Sequence, residues 1–296
     1  MNGMSVQLIV NGIAIGAVYA LFGAGFALVF GVLKFSNLAH GGVVSAAAYA
    51  GFLFQANINP TPPFWLTAIF TVFMGMLFTF LVDMLGFYRL RSKNANRLFF
   101  FLMSITFAML IEQILIANWG TMMFAFPPLF PTPTASLFGI TFSRLDIMIL
   151  GIAVVVLAAL IFLIERTKMG LAIRAVAIDA RVSQLMGINS SRLITITLII
   201  AGALAGITGL MLGIRFSVFP ALGPSIALKG LIASVIGGLG SLSGTIFAAI
   251  MLGVVEVICI FYWGAEITPL LLFGIMLFFL MVRPQGIAGR FAQDKA

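Results

Sequence analysis

The chain has 296 residues, 62% of them hydrophobic and only 8% charged, with a mean hydropathy of +1.21. Soluble domains carry about 25% charged and roughly 45–50% apolar residues, so this composition excludes a soluble enzyme, a secreted disulfide scaffold and a disordered regulator. A polytopic membrane protein remains, in which the net charge of +8 reads as basic loops beside an anionic leaflet and not as a nucleic-acid surface.

The N-terminal stretch is uncharged from Met1 to Leu33, and Lys34 is the first charge. A cleaved signal would show a basic n-region and a shorter apolar core, so the stretch is expected to be a retained transmembrane helix. Crossing the hydrocarbon takes about 20 apolar helical residues. The runs that qualify are Ser5–Leu33, Phe35–Phe54, Pro63–Val82, Leu98–Ile116, Ile147–Ile164, Leu193–Gly213, Gly230–Phe247, Thr245–Tyr262 and Thr268–Val282. The seventh and eighth share a boundary, which gives eight or nine spans. These are long continuous runs, unlike the alternating strands of about ten residues in a membrane barrel. The expected fold is all-α: one transmembrane helical bundle over 1–296 with broken or re-entrant segments. Cys259 is the only cysteine and sits in an apolar run, so it reads as a small buried hydrophobe.

Orientation follows from the basic residues. With nine spans and an external N-terminus, thirteen of the 16 fall on the cytoplasmic side: Lys34, Arg89, Arg91, Lys93, Arg97, Arg166, Lys168, Arg174, Arg181, Arg192, Arg283, Arg290 and Lys295. Arg144, Arg215 and Lys229 fall outside. That bias predicts an external N-terminus and a cytoplasmic C-terminus. The external connections are Asn57–Pro62 and the longer Asn118–Ser143. The latter holds Pro127, Pro128, Pro131 and Pro133, which cannot continue a helix, so an irregular loop capping the outer mouth is expected.

Small residues recur at every fourth position in Gly12, Gly16, Ala20 and Ala24, and in Ala201, Ala205, Gly209 and Gly213, flanked by Gly202 and Gly206. Such ridges let helix backbones approach closely; sliding during gating is the functional alternative. Two segments interrupt the apolar pattern: Ser36–Gly42 and the glycine-rich Gly237–Gly244. Irregular backbone at membrane depth is tolerated only inside protein or along a cavity, and paired breaks point to a substrate path. A plain turn between helices is the alternative for the second. His40, the only histidine, lacks metal-ligand partners nearby in sequence and reads as a structural hydrogen-bonding group or a path-lining one. Glu112 and Glu256 sit inside apolar spans, where carboxylates default to functional roles. They could pair with a base, stay protonated or relay protons.

The segment Glu165–Arg192 is too polar to span, yet Ala172–Met186 is helix-prone. Arg174 and Arg181, seven apart, are expected on one helical face. That helix either lies on anionic lipid or docks a cytoplasmic partner through Arg174, Asp179 and Arg181. No phosphate-binding G-x-x-x-x-G-K-[ST] loop, H-E-x-x-H or G-x-S-x-G motif is present.

Val32-Leu33-Lys34-Phe35-Ser36-Asn37-Leu38-Ala39-His40-Gly41 resembles the G-V-x-x-x-x-N-F-A-H-G element of LivH-type permease subunits of branched-chain amino acid ABC importers. Thr167-Lys168-Met169-Gly170, Arg174-Ala175-Val176-Ala177 and Leu185-Met186-Gly187-Ile188 resemble that family's coupling loop. Lys229-Gly230, Gly237–Ser241 and Val282–Ile287 resemble its C-terminal half. The resemblance runs from about Gly12 to Arg290. It implies a bacterial inner-membrane permease moving branched-chain or related amino acids or small amides, with no catalytic residue, cofactor or metal of its own. Implied partners are a homologous second permease (LivM-type), two cytoplasmic ATP-binding subunits and an external solute-binding protein, with anionic lipids around it. Gly170, Arg174, Ala177, Asp179, Arg181 and Gly187 would couple to the ATPase. The substrate path would pass Asn37, His40, Gly41, Gly237, Gly238 and Ser241. The rival reading is a proton-coupled secondary transporter using Glu112 and Glu256.

Overall fold

Hydrocarbon offers no hydrogen-bond partners, so a spanning backbone must satisfy its own N–H and C=O groups; the long apolar runs here do so as helices. The computed structural model describes residues 2–58, 62–93, 95–127, 134–137, 140–283 and 285–288. In chain order, α1 (Asn2–Leu33) and α2 (Ala39–Asn57) precede α3 (Phe64–Val82), which runs through a π-helical turn (Asp83–Phe87) into α4 (Tyr88–Ser92). Then come α5 (Arg97–Trp119), a hairpin of β1 (Thr134–Leu137) and β2 (Ile140–Ser143), α6 (Arg144–Arg166), α7 (Lys168–Ile178) and α8 (Ala180–Leu185). The chain closes with α9 (Ser190–Arg215), α10 (Leu222–Gly237), α11 (Leu242–Trp263) and α12 (Thr268–Val282). Among the described residues six helices are long and apolar enough to cross a membrane: Val6–Leu33, Phe64–Ser92, Arg97–Trp119, Arg144–Arg166, Ser190–Arg215 and Leu242–Trp263. Helix α2 adds 19 residues, and α10 and α12 are shorter apolar helices.

Four expectations change. Gly230–Phe247 is not a span: α10 ends at Gly237, where Gly238 at φ +102° turns the chain, and α11 starts afresh at Leu242. The loop 118–143 is not wholly irregular. Its described part carries the antiparallel hairpin, in which Thr134 pairs with Ser143, and a bridge from Phe124 to Val218. Pro128, Pro131 and Pro133 lie outside the described residues. Ala172–Met186 is two helices, because Asp179 leaves the helical region (φ −151°, ψ 111°) and caps α8 with its own side chain. Arg174 and Arg181 therefore stand on separate helices and share no face. Finally, Lys229 is not in an external loop; it lies inside α10.

Eleven basic residues, from Lys34 to Arg283, gather at one end of the bundle, at the C-terminal ends of α1, α6 and α12, on α4, α7 and α8, and at the N-terminal ends of α5 and α9. Arg290 and Lys295 lie outside the described residues. We call this the basic end, and the opposite one, with Arg144, the hairpin end. There Phe124 and Phe126, from the segment after α5, pack on Tyr49 and Phe52 of α2 (centroids 5.3–6.2 Å apart).

Glycine decides the packing. The central α1, largely buried, meets α11 where a side-chain carbon on Gly16 would sit 2.7 Å from the Ile250 Cα and one on Gly12 2.5 Å from the Val254 Cα. Helix α9 is small on two faces: Gly202 and Gly206 receive Gly75 of α3, and Gly209 receives Val44 and Ala48 of α2. Contacts this close maximise dispersion where lipid supplies no hydrophobic drive. Gly75→Leu should therefore lower the melting temperature of the detergent-solubilised protein, at a cost of about 1–3 kcal/mol for overpacking. Gly151→Leu, on an α6 surface with nothing within 4 Å, should leave it unchanged; equal melting temperatures for both variants would contradict this packing.

Candidate functional site: coupling surface and central cavities

At the basic end, α7 and α8 form a platform keyed to the bundle. Thr167 caps α7 by accepting from the Gly170 N–H (3.0 Å) and donates to the Leu163 carbonyl (2.6 Å). Any side chain on Gly170 would overlap the Leu163 and Ile164 carbonyl oxygens. Ile173 and Val176 bury the inner face of α7. Arg174 donates to the Glu165 carbonyl (3.4 Å) and, with Glu165, Gly240 and Ser243, lines a cavity of about 510 Å³. Asp179 accepts from the Arg181 and Val182 N–H groups (2.8 and 3.0 Å), and Ser190 of α9 donates to the Ala180 carbonyl (2.8 Å). Gly187 turns the chain at φ +83°. Ala177 is half-buried, while Ile178, Leu185 and Met186 are 88, 87 and 79% exposed. Sequence reading singled out the charges of this loop; its outer crest is apolar, and three bulky exposed apolar residues among polar ones were the available signal.

The Gly237–Ser241 turn belongs to this same end. A side chain on Gly237 would meet the Gly244 backbone at 2.5 Å, Ser241 caps α11 through the Gly244 N–H (3.3 Å), and a side chain on Gly240 would stand 3.3 Å from the Gly31 Cα. Ile287 and Ala288 donate to the carbonyls of Ile236 and Gly237 (2.8 and 3.1 Å), tying the chain after α12 to the end of α10. Gly237, Gly238 and Ser241 thus neighbour the platform, while Asn37, His40 and Gly41 lie deeper.

The α1–α2 junction buries Phe35 and Asn37, while Lys34 keeps an exposed side. Lys34 ends α1 in the left-handed region (φ 57°), and Phe35 wedges between Phe87 and Phe100 (5.6 and 5.5 Å). Burial, and then the neighbouring Arg97 charge, push the Lys34 ammonium pKa down. Ser104 of α5 accepts from the Leu38 N–H (3.3 Å) and donates to the Phe101 carbonyl (2.7 Å), with the Ser36 carbonyl at 3.3 Å. The His40 ring lies tilted against Phe22, centroids 4.8 Å apart, and beside Gly25, eight residues (about 12 Å) inside the end of α1. Asn37 Oδ1 and His40 Nε2 are buried without a hydrogen-bond partner among the described residues.

A second break, missed from sequence, faces this one. Between α9 and α10 the chain turns inward: Ser45 of α2 donates to the Pro220 carbonyl (2.8 Å) and accepts from the Gly223 N–H (2.7 Å), and Gly223 lies backbone to backbone with Gly41. Helix α10 therefore starts beside the first two turns of α2, inside the bundle. The signal was Pro220-Ala221-Leu222-Gly223-Pro224 within an apolar stretch. Glu112 lines a cavity of about 240 Å³ on one side of α10, with Leu38, Pro224 and Ala227. On the other side is a cavity of about 500 Å³ holding Tyr19, Arg215, Lys229 and Glu256. Lys229 Nζ donates to Glu256 Oε1 (2.6 Å) and to Tyr19 Oη (2.8 Å), and Arg215 pairs with Asp146. At the basic end Asp83, 2% exposed, takes a two-toothed bond from Arg91 (2.6 and 3.0 Å) and one from the Thr195 hydroxyl (2.5 Å). Of these ion-pair residues, sequence reading marked only Glu256 as an intramembrane charge.

The chain thus combines membrane-length helices, two of their neighbours starting inside the bundle, with a separate helical platform at the basic end. The fold resembles a metal-chelate type ABC transporter solved in an inward-facing conformation (TM-score 0.53, 15% identity, 92% of this chain and 85% of that one). It also resembles PsaBC from Streptococcus pneumoniae in complex with Fab (TM-score 0.51, 15% identity, 94% and 91%). The chain belongs to the family described as branched-chain amino acid transport system / permease component, which it matches over residues 8–281. It is 29% identical to the high-affinity branched-chain amino acid transport system permease protein BraD of Pseudomonas aeruginosa and 27% identical to LivH of Salmonella typhimurium, each over 96% of both chains. A shorter match, 30% identical over 37% of this chain and 30% of the relative, reaches the nucleoside ABC transporter permease NupB of Lactococcus lactis. This membership favours ATP-driven import over proton-coupled transport through Glu112 and Glu256.

The N–H groups of Val182 and Arg181 hold the Asp179 carboxyl below the usual carboxylate range. A carboxylate depressed on folding stabilises above its unfolded pKa, and that contribution is lost as pH falls through the folded value. Amide exchange at Arg181 and Val182, corrected for intrinsic rates, should therefore accelerate on acidification through that range; Asp179→Ala should show the acceleration already at pH 7. Asp83→Ala would leave Arg91 buried without its carboxylate and should cost about 3–5 kcal/mol, read as a fall in melting temperature. Thr195→Val, which removes the hydroxyl that donates to Asp83 and accepts from Arg91 (3.1 Å), should cost about 2 kcal/mol.

Proposed function

We infer that this chain is the membrane-spanning subunit of an ATP-driven importer for branched-chain or closely related amino acids, with ATP hydrolysed on partner subunits. The observation that carries the coupling half of this reading is the α7–α8 platform. It is rooted by Gly170 on α6 and by Ser190 on α9, and its crest of Ile178, Leu185 and Met186 is bare beside Arg181. An apolar crest rimmed by charge is the makeup of a protein–protein contact and suits a cytoplasmic ATP-binding subunit better than lipid alone. The gathering of basic residues supports a cytoplasmic side for this end by the positive-inside rule, with the C-terminus inside and the N-terminus outside, in a bacterial inner membrane. The importer would comprise this permease, a homologous second permease, two ATP-binding subunits and an external solute-binding protein that docks at the hairpin end.

Movement of the platform reaches the bundle through Gly170, and through Arg174 the Gly238–Ser243 turn. From there α10 leads to the paired breaks at Gly41 and Gly223. The path runs along α10, past Asn37, His40 and Gly41; Gly237, Gly238 and Ser241 act as the joint at its cytoplasmic end, and Ala177 and Gly187 shape the platform. The substrate class comes from the BraD and LivH relatives. Co-expressed with its partners, the double variant Ile178→Asp with Leu185→Asp should lose co-purification of the ATP-binding subunits and at least tenfold of ATP-dependent leucine uptake, while remaining in the membrane. Normal co-purification and uptake would overturn the docking surface.

A further inference from the structure

The cavity between α1, the α9–α10 break and α11 is walled mainly by apolar side chains, among them Ile15, Leu212, Ile226 and Ile260. Its volume of about 500 Å³ lies in the range of small-molecule sites, which combine an apolar lining with a few placed polar groups. Three charged residues reach it, and their bonding differs. Arg215 is neutralised by Asp146. The Lys229 ammonium has three protons; Glu256 Oε1 and Tyr19 Oη take two, and the Tyr19 ring centroid lies 5.0 Å away. Its side chain retains 30% exposure, whereas that of Glu256 retains 8%. Glu256 Oε2 has no hydrogen-bond partner among the described residues. The cavity thus holds a partly exposed cationic donor beside a carboxylate whose second oxygen is enclosed and unpaired among the described residues.

A buried charge is costly unless paired. A lone anion drawn to Lys229 would strand Glu256, and a lone cation drawn to Glu256 would strand Lys229. A ligand carrying both charges on neighbouring atoms leaves neither unpaired. We propose that this cavity binds the transported amino acid as a zwitterion, its carboxylate on the Lys229 ammonium and its ammonium on the Glu256 carboxylate, with the side chain against the apolar wall. Tyr19 is a positioning residue that holds Lys229 toward the cavity. The proposal rests on the amino-acid reading above and adds the site within the membrane subunit that handles both backbone charges.

A purely structural ion pair makes a different prediction. Replacing both partners of a buried pair by neutral residues of similar size is often neutral or stabilising, whereas removing one strands the other. The test is the double variant Lys229→Met with Glu256→Gln in the complete transporter, reconstituted in vesicles and assayed for ATP-dependent leucine uptake. Assembly is checked by co-purification of all subunits. Assembly with uptake reduced at least tenfold supports the site; assembly with wild-type uptake overturns it. Should the double variant not assemble, Ser225→Trp decides, because it fills the cavity from an exposed lining position while keeping both charged side chains. Uptake lowered at least tenfold supports the proposal, and unchanged uptake refutes it. Absence of amino-acid uptake by the unmodified transporter would overturn the substrate reading and the proposal with it, an outcome distinct from a failure confined to the variants.

Discussion

Close backbone approach at glycine is the constraint on which this structure depends. Where helices cannot gain by hiding from water, stability must come from dispersion and polar contacts at short range. The chain meets this by removing side chains where α1 meets α11, α3 meets α9 and α2 meets α10. The same device serves in the broken parts: Gly41 against Gly223 brings two helix starts together inside the bundle, and Gly237 against Gly244 folds α10 back on α11. Broken and unbroken helices are thus joined by one kind of contact.

Charge is handled as strictly as volume. Asp83 sits in the π-helical turn, and its carboxylate meets both Arg91, two turns on in α4, and Thr195 on α9. Arg215 and Asp146 join the ends of α9 and α6, and Lys229 and Glu256 join α10 to α11. Each pair bridges two elements, or two windings of one, and so acts as a registration mark as well as a neutralised charge. Of the three, only Lys229 with Glu256 lies in a cavity with a carboxylate oxygen left over.

Much of this was legible in the residues. Long uncharged runs marked the spans, because a helix that crosses lipid needs little beyond apolar length. The four-residue spacing of Gly12 and Gly16 marked a helix seam. Ser36–Gly42 was recognisable as a break because polar and glycine residues interrupt an otherwise apolar pattern. Depth was harder to read. Nothing in a linear pattern says that Pro220 turns inward and not outward; that follows from its carbonyl meeting Ser45, 175 residues away in the chain. Lys229 looked like a loop residue because a charge in an apolar stretch is usually an edge, and its partners Tyr19 and Glu256 lie on distant helices. The split between α7 and α8 was hidden because Asp179 is tolerable within a helix and better as a cap, and only the backbone decides which.

The seat of Gly170 has a mechanical consequence. An ordinary side chain between two helices is a compliant spacer that can change rotamer and absorb a small displacement. Here nothing compliant lies between the start of α7 and the Leu163 and Ile164 carbonyls. The joint therefore has no free play, and the platform behaves as a bell crank pivoting on the end of α6. A displacement of the start of α7 therefore cannot be taken up by a rotamer change at this contact and has to shift the end of α6 with it.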